Sequence, residues 1–501
     1  MARIQKQSLS RALCFLFRLG VCGGRQKNSK MASRRSQRQA ALPVFEDEFQ
    51  TTTEEPNLVM EARGGEEKGI VVNFVVASII FSASPSCAIA CLNLASARLG
   101  SVGAWQSGVL FLSYTSSSLL GATYVVKKLG SRNAMVAGMA IVCFYVGCFW
   151  VATNWVSIQT TAALVGATLG GIGSGFLWTA QGAYFTQAAA EFAKLTGRGN
   201  DEATSLFGGI FAACFLVEEA FLSVLSTVLV EFGMRWIHVF AIYAIVAVLS
   251  TLAMCSVRDY GASQTRQGDQ YYASALYKMT AAWNLLTTDP KMKYLIGWNA
   301  AFGFALAFVN SFVSGQVLRV ALHETESQYV GVFSALAAGV AAMMSLVYSR
   351  ITQQWGKDPV MIVGVMGFVG VSAPFIVQPN LHAWTWKGLA LIYISLGCGR
   401  ACFESTLKAT FADYFSYEKE GAFANIILQN GLASFVGFVL SAYLPCSTPG
   451  RYCVAFEDGV LHNVLIFEII VVVTSFVAAL GFWRASTLFA RTGVPVASVG
   501  D

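Results

Sequence analysis

Residues 164–185 read LVGATLGGIGSGFLWTAQGAYF. The run has about the length of one apolar bilayer crossing. It nevertheless contains Gly166, Gly170, Gly171, Gly173 and Gly175 and ends in the polar-aromatic segment Trp178–Tyr184. In a soluble helix each glycine costs roughly 1 kcal/mol relative to alanine. In a membrane helix the same glycines form a smooth face against which another helix can pack closely. A related stretch, LGCGRACFESTLKATF (396–411), follows at an offset of 226, so that Gly171 corresponds to Gly397, Gly173 to Gly399 and Phe185 to Phe411. A second pair of segments agrees on that offset: KKLGSRNAMVAG (127–138) aligns with QQWGKDPVMIVG (353–364). Shared hydrophobicity does not produce two independent matches in one register, so the chain is read as a duplication.

The 501 residues are 55 % hydrophobic and 12 % charged, with a mean hydropathy of +0.56. That balance excludes an ordinary soluble protein. The apolar residues fall in runs long enough to span a bilayer, and no series of short alternating strands suggests a β-barrel. The expected class is an all-α polytopic membrane protein. Twelve spans are predicted, at about 70–92, 102–126, 134–153, 160–184, 205–230, 236–256, 294–318, 328–348, 360–377, 388–411, 422–444 and 460–483. They divide into an N-terminal six-helix bundle (70–256) and a C-terminal one (294–484), separated by a polar loop (257–293). Two parallel six-helix halves joined by a long central loop are the plan of the major facilitator superfamily.

Residues 1–69 read as a disordered N-terminal tail, basic up to Arg38 and acidic from Glu46, and 485–501 as a short C-terminal tail. The run RALCFLFRLGVCGG (11–24) is too short to span and matches a targeting segment weakly; Met31 is an alternative start to Met1. With both termini cytosolic, the inner segments hold 27 Lys/Arg and the outer loops five, the asymmetry expected of cytoplasmic loops. Most of the twelve cysteines lie within apolar runs, as packing residues do. Cys446 and Cys453 share a polar loop on the outer side and are a candidate disulfide.

Charges within spans are the sharpest chemical signal, since each costs at least about 2.5–3.5 kcal/mol at mid-membrane. The tenth span carries Arg400, Glu404 and Lys408, four apart and so on one helix face. One reading is an internal ion ladder in which Glu404 pairs with either cation; the other is a polar lining for a central cavity. The fifth span carries Glu218 and Glu219 with no cation of its own. Adjacent carboxylates disfavour joint ionisation, so one is a candidate proton or cation site. The alternative is that one is neutral and the other meets a cation from another helix. Glu468 in the twelfth span is a lone carboxylate with a structural reading. No phosphate-binding loop, zincin motif or Cys-x-x-Cys pair occurs, so neither an enzyme, nor a metal site, nor a cofactor is expected. Nothing in the charge pattern points to nucleic acid.

The G-x-G-x-x-x-x-W-T-A-Q-G-x-Y pattern formed by Gly171, Gly173, Trp178, Gln181, Gly182 and Tyr184 resembles the UNC-93-like branch of the major facilitator superfamily. Weaker matches are Leu92-Asn93 with Leu99-Gly100, Lys128–Gly130 with Gly138 and Tyr145, and Leu286 with Asp289. Two features depart from the pattern. Lys127 stands where the superfamily's loop between helices two and three usually has an acid, and the tenth span carries its own charged face. The resemblance implies transmembrane solute or ion transport or its regulation. The alternative it implies is a non-transporting regulatory or trafficking subunit that binds an ion channel or receptor. The partners expected are therefore the bilayer, a small solute or ion, and a membrane protein under the second reading. The identity of the membrane is left open.

Overall fold

The computed structural model describes residues 56–260, 275–323, 329–443, 453–455 and 461–492. The described residues from Glu66 onward form one compact unit. Its first six helices are α1 (Pro56–Leu99), α2 (Ser101–Ser117, continuing through Ser118–Ala122 to Thr123–Leu129), α3 (Ser131–Asn154), α4 (Gln159–Thr196), α5 (Asn200–Glu231) and α6 (Trp236–Met254). A surface helix, Ala275–Thr288, leads to α7 (Pro290–Phe308, through Val309–Val317 to Leu318–Leu322). The second half continues with α8 (Tyr329–Trp355), α9 (Asp358–Val377), α10 (Trp386–Cys402, through Phe403–Leu407 to Lys408–Tyr414), α11 (Lys419–Tyr443) and α12 (Leu465–Thr492). A short antiparallel ribbon, β1 (Cys453–Ala455) with β2 (Leu461–Asn463), precedes α12 in the otherwise all-α fold. Cys446 lies outside the described residues.

Among the described residues, eleven helical segments are long and apolar enough to cross a membrane, and α10 is the helix that falls short. Arg400, Glu404 and Lys408 lower its hydropathy, while neighbouring helices cover it on several sides. The surface follows the logic of lipid as solvent: Leu249, Leu252, Ile362, Met366 and Leu480 are exposed, whereas Gln106, Glu219 and Asn299 are buried.

The duplication is visible in the backbone and in the packing. Gly130 and Gly356, 226 apart, break the chain after α2 and α8 with φ of 81° and 83°, a left-handed geometry that glycine adopts without steric cost. Gly171 of α4 lies against the Leu110 carbonyl of α2, and Gly397 of α10 against the Ala337 carbonyl of α8. A Cβ at Gly173 would stand 2.7 Å from Ile141 of α3, and one at Gly399 would strike Phe368 of α9. Each glycine thus admits the equivalent neighbour in its own half. Ser131 donates to Gln187 Oε1 at 2.7 Å in the first half. At the equivalent places in the second half, Lys357 pairs with Asp413. One contact survives the duplication as a hydrogen bond in one half and an ion pair in the other. The halves meet along α5 with α8 and along α2 with α11. Exchanging the halves converts one interface into the other.

Candidate functional site

Three of the helices carry π-type turns, at Ser118–Ala122 in α2, Val309–Val317 in α7 and Phe403–Leu407 in α10. Such turns widen the helix locally and occur often at functional sites. The one in α10 lies between Arg400 and Lys408, so the regular spacing of four no longer keeps the three charged side chains in one ladder. Arg400 reaches across to the other half. Its Nη1 and Nη2 donate to Glu219 Oε1 and Oε2 of α5 at 2.6 and 2.5 Å. The two side chains are 9 % and 0 % exposed. Paired in this bidentate way, the fork satisfies both carboxylate oxygens of a charge that would otherwise be very costly. Lys408 instead turns back to Glu404 Oε2 at 2.5 Å, with its ammonium 4.8 Å from the centre of the Trp178 ring.

Arg400, Glu404 and Lys408 all line one cavity between the halves. It has about 140 Å³ of space open to the centres of water molecules, room for on the order of ten waters. Trp178 and Gln181 of the glycine-rich helix line it too, as do Asn310 of α7 and Asn430 of α11. Cross-half contacts bracket the cavity. At the end bearing most of the basic residues, a Cβ at Gly182 would lie 2.5 Å from the Phe423 ring, and Phe185 meets the same ring edge-on at 6.4 Å. Lys127 bonds Glu418 at 3.0 Å close by, which ties the last turn of α2 to the segment before α11. At the opposite end, a Cβ at Gly315 of α7 would be 3.7 Å from Ser96 of α1.

The remaining candidates sit elsewhere. Glu218 and Glu219 are not brought to one site, because adjacent positions diverge by about 100° around a helix. Glu219 goes to Arg400, while half-buried Glu218 has Cys87 and Cys214 as electrostatic neighbours and leaves Oε2 without a hydrogen-bond partner among the described residues. Buried Glu468 also has an unpartnered Oε2, and its backbone carbonyl accepts from Ser372 at 3.3 Å. Gly171 and Gly173 serve packing. Tyr184 serves anchoring: its hydroxyl donates to the Arg258 carbonyl at 2.9 Å and accepts from Asn73 at 3.2 Å. Beside it, Tyr260 in the loop after α6 has its phenol pushed up by burial. It therefore stays neutral and accepts from Asn73 at 2.8 Å. No group of three or more metal-binding side chains occurs among the described residues.

Sequence reasoning passed over Asn310 and the Lys127–Glu418 tie. A lone amide inside the apolar run FALAFVNSFV (304–313) was the available signal for the first. The second joins residues 291 positions apart and left no local trace.

The sequence model of the Major Facilitator Superfamily matches residues 69–445. UNC93-like protein 3 of Arabidopsis thaliana is 21 % identical over 363 residues, covering 68 % of this chain and 74 % of that protein. Protein unc-93 homolog A of Bos taurus is 23 % identical over 391 residues, covering 70 % and 80 %. Among solved structures, the xylose transporter XylE from E. coli superposes with a TM-score of 0.57 at 13 % identity, over 83 % of this chain and 97 % of that one. The nucleoside transporter NupG gives 0.58 at 13 %, over 82 % and 99 %.

Proposed function

The chain belongs to the major facilitator superfamily, and on that footing we propose that it carries a small solute across the membrane through the cavity between its halves. The cavity itself carries the reading. Both halves line it, it holds ionic groups that lipid would not tolerate, and contacts between the halves bracket it at each end. A rigid-body rearrangement of two pseudo-equivalent bundles would expose such a cavity to the two sides in turn. In this proposal residues 70–256 and 294–484 are the moving bodies, 257–293 is their connection, and both termini face the cytosol.

Ser174 lines the cavity and offers the test. In Ser174→Cys protein reconstituted in vesicles of either orientation, a membrane-impermeant thiol reagent should label the new cysteine from each side. Labelling from one side only, or from neither, sinks the proposal. A second reading, a regulatory or trafficking subunit, has one observation in its favour. Half-buried Glu218 has an unpartnered oxygen and stands between lipid-exposed Val217 and Phe221. A neighbouring membrane protein docked on Val217 and Phe221 would cover that half-buried carboxyl further. Co-purification of a stoichiometric membrane protein from native membranes, abolished by Glu218→Gln, would support it.

A further inference from the structure

We infer that the solute is a small organic anion, a carboxylate on an apolar or aromatic body, received by Arg400. The inference rests on the cavity being the solute site and concerns what that site selects. Three ionic side chains line it: two cations, Arg400 and Lys408, and one anion, Glu404. Glu219, which balances Arg400, is fully covered and is not part of the lining. The lining itself thus holds two cations and one anion, and Glu219 behind Arg400 brings the four charges to neutrality.

The hydrogen-bonding capacity points to an anion. Arg400 is 92 % buried, taking its 8 % exposure from the whole residue, and its Nε has no partner among the described residues. A guanidinium nitrogen can only donate. Asn310, 5 % exposed and also in the lining, has an unpartnered Nδ2. Two unpartnered buried donors on α10 and α7, neighbouring helices that line one cavity, suit an acceptor-rich ligand, because an unmade buried hydrogen bond is costly. Glu219 holds the two Nη atoms of Arg400, so a carboxylate oxygen would be received by the unpartnered Nε.

The aromatic lining by itself would also suit a cationic solute. Here, however, cations of the protein already lie over two of the lining rings, Trp178 and Phe215. Lys408 lies over Trp178 and over Phe211 at 4.8 and 5.6 Å, and Arg400 over Phe215 at 6.0 Å. What remains for the solute's body is apolar contact with Phe302 and Phe403, stacked with centroids 3.8 Å apart, and with Phe111 and Phe423. The space, on the order of ten waters, suits about ten non-hydrogen atoms.

The probes are 3-phenylpropionate, 3-phenylpropionamide and 3-phenylpropylamine, three molecules of nearly one shape. Binding to the purified full-length protein would be read by thermal shift and by protection of Ser174→Cys from thiol labelling. The carboxylate is expected to bind at least about tenfold more tightly than the amide or the amine, the factor for one charge-assisted hydrogen bond. Arg400→Gln should erase that preference. Arg400→Lys, which keeps the charge but loses the Nε donor, should retain part of it, and Asn310→Ala reports on the second donor should Arg400→Gln fail to fold. Preference for the amine or the amide, or no response to any of the three, overturns the anion assignment. Protection by the amine alone would leave the cavity standing as the solute site. Failure to label Ser174→Cys from both sides without ligand would instead remove the transport proposal itself.

Discussion

Neutralising Glu219 is the perturbation that most directly tests how the halves are held together. Its carboxylate is wholly buried and meets Arg400 through two bonds of 2.6 and 2.5 Å. Glu219→Gln preserves shape and one acceptor but leaves a buried guanidinium without its counter-charge. Breaking a buried ion pair from one side costs about 3–5 kcal/mol, and the amide oxygen should hold Glu219→Gln near the lower figure. Arg400→Gln strands the carboxylate instead and should cost at least as much. The double variant strands nothing, and replacing a whole buried pair by neutral groups is often close to neutral. The expected coupling energy is therefore about 3 kcal/mol or more, far above the 0.3–0.5 kcal/mol within which independent sites add. Thermal unfolding of the four purified proteins in one detergent measures it. Both single variants should melt several degrees lower, and the double variant should recover most of the loss. Because the pair spans the two halves, Glu219→Gln should also speed labelling of Ser174→Cys. Additive single effects, or a Glu219→Gln protein as stable as the parent, would refute the claim that this pair ties the halves.

The cavity's closure at the basic end should depend on Lys127 and Glu418, which are 24 % and 14 % exposed. Lys127→Glu or Glu418→Lys should raise cavity labelling from that side severalfold, and the exchanged pair should restore it, with an effect of at most about 1 kcal/mol that fades at high salt. Gly171→Leu should abolish folding, or cost more than the ~1–3 kcal/mol of ordinary overpacking, because its Cβ would collide with the Leu110 backbone. Gly147→Ala, in the same half with nothing within 4 Å of a new Cβ, should be neutral or slightly stabilising by the same melting assay. Lys357→Ser should destabilise by about 1–3 kcal/mol by taking the cation from Asp413. Adding Asp413→Gln rebuilds the Ser131–Gln187 contact of the other half and should recover most of that loss.

The fold was legible in the sequence because membrane constraints act locally. A span needs an unbroken apolar run, and a duplication preserves its glycines wherever two helices nearly touch. Gly171 with Gly397, Gly173 with Gly399 and Gly130 with Gly356 could be paired from spacing alone, and each pair proves to admit the equivalent neighbour or make the equivalent turn. The candidate site was legible in part. Residue type marked Arg400, Glu404 and Lys408, since charge within a span demands compensation. The compensation itself could not be read, because it depends on the distance between halves: Glu219 and Arg400 are 181 positions apart. Nor does the sequence announce a π-type turn, and the one at Phe403–Leu407 leaves Arg400 facing α5 and Lys408 beside Trp178.

That turn also explains why the duplicated helices diverge in chemistry while agreeing in packing. At the offset of 226, Arg400, Glu404 and Lys408 correspond to Ser174, Trp178 and Gly182. On α4, which is regular throughout, these positions are neutral: Ser174 and Trp178 line the cavity and Gly182 admits Phe423 from the other half. On α10 the same positions carry charge, and that helix is widened within the segment that bears them. A cavity built by duplication would begin symmetric, with equal walls facing a solute. Charging α10 while α4 keeps its rings and glycines gives the solute one charged wall and one neutral wall to meet. The charged wall can remain in the membrane because its two cations are held by Glu219 from the opposite half and by Glu404 from its own helix. If that asymmetry is what selects the solute, moving it should move the selectivity. Arg400→Ser with Ser174→Arg would transfer the cation from α10 to α4, one helical turn from Trp178. Such a protein should lose both its melting advantage and its preference for 3-phenylpropionate over the amide. Retention of that preference with the cation displaced would mean that net charge in the cavity, rather than the placement of Arg400, sets the choice.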